Sequence, residues 1–185
     1  TKIGFTILQT LSLYNAVAND GKMVKPIFVS EIKEWSKTIK KYDPEVINPK
    51  ICSDETLLIV RKVLENVVKN GTGKGLYSPD FSMAGKTGTA KKYVGRHINE
   101  KGDTIPAGYS NKRYVASFAG FFPADKPKYS CIVVIHDPDK KKGYYGATVA
   151  APVFKEIAQK IYTTNHSINE IENKTPDFES VKKDF

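Results

Sequence analysis

The sequence predicts an α+β fold in which an antiparallel sheet of three core strands is packed with helices. Three observations carry that expectation. Two segments with apolar residues at helical spacing precede three β-rich runs, the last two runs are joined by a short Pro-flanked turn, and a final helical stripe follows them. Helices and strands segregated in this order stack as layers around one sheet instead of alternating as βαβ units.

Taken in order, residues 6–19 put Ile7, Leu8, Leu11, Tyr14 and Ala18 at helical spacing, and Asn19-Asp20-Gly21 supplies the stop. Residues 23–34 are β-branched and interrupted by Pro26, which predicts extended edge structure; 36–50, with Pro44 and Pro49, reads as a connection. Ser53 is a good N-cap for a strong helix. Asp54 and Glu55 suit the positive end of its dipole, and Leu57, Val60, Leu64, Val67 and Val68 share one apolar face. Asn70-Gly71 ends that helix, and Gly71, Gly73 and Gly75 form a loop. A strand over 81–90 and a polar loop over 91–112 come next. Strands over 114–121 and 129–135 form a hairpin across Pro123-Ala124-Asp125-Lys126-Pro127, and the unbroken apolar run from Cys131 to Ile135 predicts cover on both faces of the second strand. Residues 148–162 carry the last stripe, Val153, Phe154, Ile157, Ala158, Ile161 and Tyr162, with Pro152 tolerated in the first turn. Beyond it the pattern fades. The organisation is a domain over 1–162 followed by a polar tail or linker over 163–185.

Composition narrows the classes. The 185 residues are 40% hydrophobic and 26% charged, as in globular domains and unlike disordered or collagen-like chains. No window approaches the ~20 apolar residues of a membrane helix, and the first residues lack the pattern of a signal peptide. A chain starting at Thr is expected to be a processed product or a piece of something longer. Cys52 and Cys131 are too few for a disulfide scaffold or a Cys-based zinc site, and their apolar neighbours predict two buried free thiols. The net charge of +9 is concentrated in Lys91, Lys92, Arg96, Lys101, Lys112 and Arg113, and in Lys140-Lys141-Lys142. Such runs are either solvated loops or an attraction for an anionic surface or substrate. His97, His136 and His166 have no Glu or Cys at ligand spacing, so no metal site is expected. Trp35 and ten tyrosines come without a nucleic-acid-binding signature, and no nucleic-acid partner is expected.

The chemistry is concentrated in Ala84-Gly85-Lys86-Thr87-Gly88-Thr89-Ala90. On a strand, Thr87 and Thr89 share one face and Lys86 takes the other, while Gly88 admits close approach of a backbone. Hydroxyls, an ammonium and edge backbone groups together suit a peptide that adds as a strand and ends in a carboxylate.

Lys86-Thr87-Gly88 matches the third signature of the penicillin-recognising serine enzymes. It is followed by Ser117-Phe118-Ala119-Gly120-Phe121-Phe122-Pro123-Ala124-Asp125-Lys126-Pro127 and by Gly146-Ala147-Thr148-Val149-Ala150-Ala151-Pro152-Val153-Phe154, and is preceded by Leu8-Gln9, Tyr14-Asn15-Ala16 and Lys25-Pro26. Over roughly 3–162 the chain resembles the C-terminal part of the transpeptidase domain of class B penicillin-binding proteins, and the resemblance implies a partial penicillin-binding-protein transpeptidase fold. It implies that Lys86 aids proton traffic beside the nucleophile and holds positive potential in the cleft. Thr87 and Thr89 would bind the terminal carboxylate of a peptidoglycan stem peptide or of a β-lactam. The Thr89 N–H would be an oxyanion-hole donor, and Gly88 would keep the strand accessible. It implies no cofactor, partners among cell-division or elongation proteins, and a membrane-anchored parent on the periplasmic face of the bacterial inner membrane.

The family's nucleophile motif, Ser-x-x-Lys, precedes its Ser-x-Asn motif and then Lys-Thr-Gly. Ser30-Glu31-Ile32-Lys33 lies in extended edge structure too near Lys86, while Ser167-Ile168-Asn169 and Ser180-Val181-Lys182-Lys183 lie downstream of it. The chain is therefore expected to be inactive alone, for want of a nucleophile with its base. With the family's N-terminal strands missing, helix faces at 53–70 and 148–162 are expected to be partly unburied, giving low stability or self-association. Competing readings are a non-catalytic penicillin-binding-fold binding or sensor module, a serine β-lactamase, and a general polyanion binder.

Overall fold

The computed structural model describes residues 4–98 and 102–164. In chain order these form α1 (Ile7–Ala18), β1 (Met23–Val24), β2 (Glu31–Glu34), β3 (Lys37–Lys41), β4 (Val46–Asn48), α2 (Asp54–Lys69), a 3₁₀ turn (Lys74–Leu76), β5 (Ala84–Val94), β6 (His97–Ile98), β7 (Thr104–Ile105), β8 (Gly108–Phe122), β9 (Tyr129–His136), α3 (Gly146–Val149) and α4 (Ala151–Thr164). The main sheet runs β5-β8-β9 and is antiparallel throughout, so the expected α+β arrangement with three core strands holds. Two-stranded pairs β1-β4, β2-β3 and β6-β7 flank it.

Side-chain alternation along β8 builds the layers. Phe118 and Phe122 point to one face, where Phe154 of α4 meets both rings, with centroids 4.7 and 5.7 Å away. Phe121 points to the other face and joins Ala84, Val17 of α1 and Leu57 of α2. Helices thus sandwich the sheet, and all four aromatic rings are buried. The helix starts are as the sequence predicts. Thr6 and Gln9 form a reciprocal capping box on α1, and the Ser53 hydroxyl accepts from the Thr56 N–H on α2. At the other end of α1 the Arg61 guanidinium donates to the carbonyls of Val17 (2.8 Å) and Ala18 (2.7 Å) and to Asp20 (2.9 Å), pinning α1 to α2.

Four expectations need correction. The stretch 36–50 is not a bare connection: Thr38 and Ile39 lie in β3, and Val46 and Ile47 in β4. Pro44 and Pro49 fall just outside these strands, where they cost no ladder bond. The turn between β2 and β3 holds Trp35 at φ 57°, almost fully exposed. The segment 91–112 is largely a continuation of the sheet, with Tyr93 opposite Tyr109 and Val94 opposite Gly108. A hairpin arm wetted on both faces needs no apolar alternation, so its polarity hid its strands. The final helix is two, α3 and α4, broken at Ala150, with Pro152 in the first turn of α4. Cys52 and Cys131 are free thiols but only half-buried, and burial pushes the Cys131 thiol up from its ordinary value.

Within β9, Val133 is buried and the rest of the apolar run half-buried. Of the polar tail, Thr163 and Thr164 continue α4, while residues 165–185 lie outside the described residues, as do Glu100 and Lys101. That places His166, Ser167-Ile168-Asn169 and Ser180-Val181-Lys182-Lys183 outside them too. Among the described residues, no helix is long and apolar enough to cross a membrane.

The turn after β8 is tied back to the segment before β5. Ser82 Oγ donates to Asp125 Oδ1 at 2.6 Å and accepts from the Ala124 N–H at 2.8 Å. This hydroxyl holds the Asp125 carboxyl below its ordinary value. A depressed folded-state value contributes stability above the unfolded value of about 3.9 and loses it as pH falls further. Urea unfolding below pH 4 should therefore show a flatter acid loss in Ser82→Ala than in the unmodified chain. Phe154→Ala should cost about 3–5 kcal/mol in the same assay, as a large aromatic removed from a closed core. Leu58, Ile59 and Val63 of α2 are 57–61% exposed, and Val153 and Ile157 of α4 are exposed as well. Sedimentation velocity should show self-association that grows with concentration.

Candidate active site

β5 pairs with β8 along one side only among the described residues, and its other edge carries Lys86, Thr87 and Thr89. The Lys86 ammonium curls back to its neighbour, donating to the Thr87 carbonyl at 3.0 Å and the Thr87 hydroxyl at 3.2 Å. A Thr87 carbonyl engaged by this side chain faces away from β8. In an antiparallel ladder the backbone groups of alternate residues share a direction, so the N–H of Thr89 also turns to the open edge. Thr87 and Thr89 share a face, as expected from strand periodicity. Lys86 starts on the opposite face, yet its long stem returns the charge to Thr87. No described carboxylate lies within 4 Å of Lys86 Nζ, which leaves its charge uncompensated.

Two further residues complete the arrangement, and the sequence reading did not assign them to it. Thr72, in the loop after α2, places its hydroxyl 3.0 Å from the Thr87 hydroxyl. Gly146, the first residue of α3, donates its N–H to Thr89 Oγ1 at 3.0 Å, which leaves the Thr89 hydroxyl proton available to an incoming acceptor. Glycine is required there, since a Cβ would collide with the Ser117 carbonyl and lie 2.6 Å from the Gly88 carbonyl oxygen. At Gly88 itself a Cβ would meet only the Ser117 side chain, its hydroxyl oxygen at 2.5 Å. The close backbone approach expected at Gly88 is thus secured by Gly146. A hint was present in the sequence, because Gly146-Ala147-Thr148 opens one of the blocks that carried the resemblance.

The other candidate residues are dispersed. His136 ends β9 and is exposed, and the following Asp137 carboxylate accepts from Arg113 Nε (2.9 Å) and Nη2 (2.6 Å) and from Lys92 Nζ (2.8 Å). Arg113 first and Lys92 second hold that carboxyl well below the usual range. Ser130 instead accepts from Asn15 Nδ2 at 3.1 Å, so His136, Asp137 and Ser130 form no relay. His97 lies in β6 with Nδ1 3.0 Å from the Gly95 carbonyl. Ser30-Glu31-Ile32-Lys33 sits on the exposed β2-β3 hairpin, where Lys33 pairs with Glu31 at 2.6 Å. Among the described residues no three His, Cys, Asp or Glu side chains converge on a metal-sized site.

Chemically, the β5 edge offers an ammonium, two hydroxyls and an outward N–H within one turn of strand. That set fits an extended peptide whose terminal carboxylate rests on the hydroxyls.

Residues 3–159 match the family model of the penicillin binding protein transpeptidase domain. Stage V sporulation protein D of Bacillus subtilis is 32% identical over 160 residues, covering 84% of this chain and 22% of that protein. The peptidoglycan D,D-transpeptidase FtsI of Buchnera aphidicola is 34% identical over 157 residues, covering 84% and 24%. Among solved structures, penicillin binding protein 3 of Mycobacterium tuberculosis superposes with a TM-score of 0.67 at 30% identity, covering 88% of this chain and 36% of that one. The D,D-transpeptidase domain of a peptidoglycan glycosyltransferase from Eggerthella lenta gives 0.62 at 27% identity, covering 84% and 32%. The chain spans about a quarter of the length of these curated relatives. Since the matched residues include the whole sheet and both helical layers, the chain belongs to the penicillin-binding protein transpeptidase family.

Proposed function

We propose that this chain supplies the carboxylate-binding half of a peptidoglycan D,D-transpeptidase that cross-links stem peptides and is acylated by β-lactams. The observation that carries the reading is the open β5 edge, where Thr87, Thr89 and the Lys86 ammonium converge beside an outward backbone N–H. In the parent protein, a serine attacks the penultimate D-Ala carbonyl of a donor peptide. The terminal D-Ala leaves, and the acyl group passes to an amine of a neighbouring strand. Thr87 and Thr89 hold the donor carboxylate by charge-assisted hydrogen bonds. The Thr89 N–H stabilises the developing oxyanion, where one such donor is worth about 100–1000-fold. Lys86 supplies positive potential and assists proton transfer. The anionic group of a β-lactam occupies the same seat; penicillin binding protein 3 of M. tuberculosis has been solved with aztreonam and with ampicillin, which supports β-lactam binding as such.

The parent acts from the periplasmic face of the bacterial inner membrane, alongside division or elongation proteins. The serine and its lysine come from outside the described residues, and the chain by itself is a binding half without turnover. A non-catalytic binding module is the second reading, favoured by the placement of the one described Ser-x-x-Lys on an exposed hairpin.

Labelling with a fluorescent penicillin separates the two. The 185-residue chain should stay unlabelled on a denaturing gel, while the parent protein translated from the same frame should label. In that parent, Thr89→Val should slow acylation about ten- to hundredfold, the loss of a hydrogen bond to a charged group. A parent that does not label sinks the enzyme reading, and one that labels equally well after Thr89→Val and Lys86→Met sinks the roles given to those two residues.

A further inference from the structure

The β2-β3 hairpin stands apart from both cores. Among the described residues its two strands pair only with each other, and every residue from Lys25 to Lys41 is exposed. A two-stranded ribbon with no buried face contributes little to stability. Its turn is tight, because only Trp35 and Ser36 separate Glu34 from Lys37. Such a turn puts its first residue at positive φ, where Gly, Asn and Asp fit best. This one holds Trp35 at φ 57°, with the side chain 97% exposed. A bulky aromatic is strained there, and no packing against the fold offsets the strain. A ring presented in this way is explained by a partner that receives it.

The surroundings of the tip define that partner. Lys33, Lys37, Lys40 and Lys41 stand against Glu31 and Glu34, so four cations and two anions leave the hairpin at +2. Lys33 pairs with Glu31 at 2.6 Å, whereas Lys37, Lys40 and Lys41 make no salt bridge among the described residues. Lys40 lies 4.6 Å above the Tyr42 ring, and the exposed Ile32 and Ile39 add apolar surface between the cations. At about 3.4 Å per residue, Lys37 lies about 7 Å from Trp35, and Lys40 lies about 10 Å from it, through its partner Ile32. The headgroup layer on each side of a bilayer is about 5–7 Å deep. A tip entering that layer seats the indole at the level where tryptophan is enriched. It also brings Lys37 and Lys40 within about one Debye length of the lipid phosphates. A protein partner fits less well. Protein interfaces are depleted in Lys and Glu and surround their aromatic anchors with further close contacts, whereas this finger offers one ring on a convex tip and only Lys as its cations. We infer that the β2-β3 hairpin docks on an anionic lipid bilayer, with the Trp35 ring in the headgroup layer and Lys37 and Lys40 on the lipid phosphates.

Trp35 is the one tryptophan of the chain, so intrinsic emission reports on the hairpin tip alone. The test mixes the 185-residue chain with vesicles of phosphatidylcholine, or of equal parts phosphatidylcholine and phosphatidylglycerol. On the anionic vesicles the emission should move to shorter wavelength and be quenched by lipids brominated near the headgroup. Binding by cosedimentation should fall about fivefold in Lys37→Gln, the contribution of one lysine near such a surface, and be kept in Lys37→Arg. It should weaken further at 0.5 M salt. Trp35→Gly should weaken binding about five- to tenfold, as partial burial of a large apolar side chain is lost. Its unfolding midpoint should hold or rise, because glycine adopts φ 57° without strain. Emission unmoved by anionic vesicles overturns the inference. Binding left intact by both Trp35→Gly and Lys37→Gln overturns it too, since the contact is then made elsewhere, and so does equal binding to both kinds of vesicle. An equal emission shift with poly-L-glutamate or polyuridylate makes the partner a soluble polyanion and overturns the bilayer.

Discussion

The fold depends on the antiparallel ladder between β5 and β8. Its register sets Ala84 against Phe121, Thr87 against Phe118 and Gly88 against Ser117. From that pairing, the side-chain period of a strand does the rest. Phe118 and Phe122 must seat α4, Phe121 must face α1 and α2, and the opposite edge of β5 is left bearing the hydroxyls. A slip of one residue would exchange the two cores and turn Thr87 and Thr89 toward the wrong layer. Stability and site geometry therefore share one cause. The aromatic residues of β8 penalise any register in which the β5 hydroxyls are misplaced.

Much of this was legible in the sequence because the residues that build the core also carry period. The apolar spacing in α1, α2 and α4, the Ser53 cap and the hairpin between β8 and β9 are local signals, and they survive in the fold. The arm at 91–112 was not legible. Its strands are held by cross-strand pairing such as Tyr93 with Tyr109, and a polar strand with solvent on both sides leaves no alternation to read. The strands β3 and β4 were masked by prolines that lie just past their ends. Of the site, Lys86, Thr87, Gly88 and Thr89 are contiguous and announce themselves. Thr72 and Gly146 reach the same place from distant parts of the chain, and only tertiary packing joins them.

The charges sort by a similar logic. In the sequence Lys91 and Lys92 are one basic pair. On the strand they are separated by the pleat, so that Lys92 meets Asp137 while Lys91 turns to Asn111. Asp137 holds both Arg113 and Lys92 from a backbone at φ 51°, one residue beyond β9. A charge count cannot distinguish a compensated cation from a spare one. Strand parity does so at once.

The register shift between Lys91 and Tyr93 gives the arm a particular standing. A bulge absorbs an irregularity locally and redirects the strand beyond it. It acts as a joint between a regularly paired stage, Ala84 to Lys91, and the overhang beyond it. The pairing that fixes Thr87 and Thr89 lies wholly on the near side of that joint. The single hairpin thus divides into a base whose course the ladder sets and a tip that starts again in a register of its own.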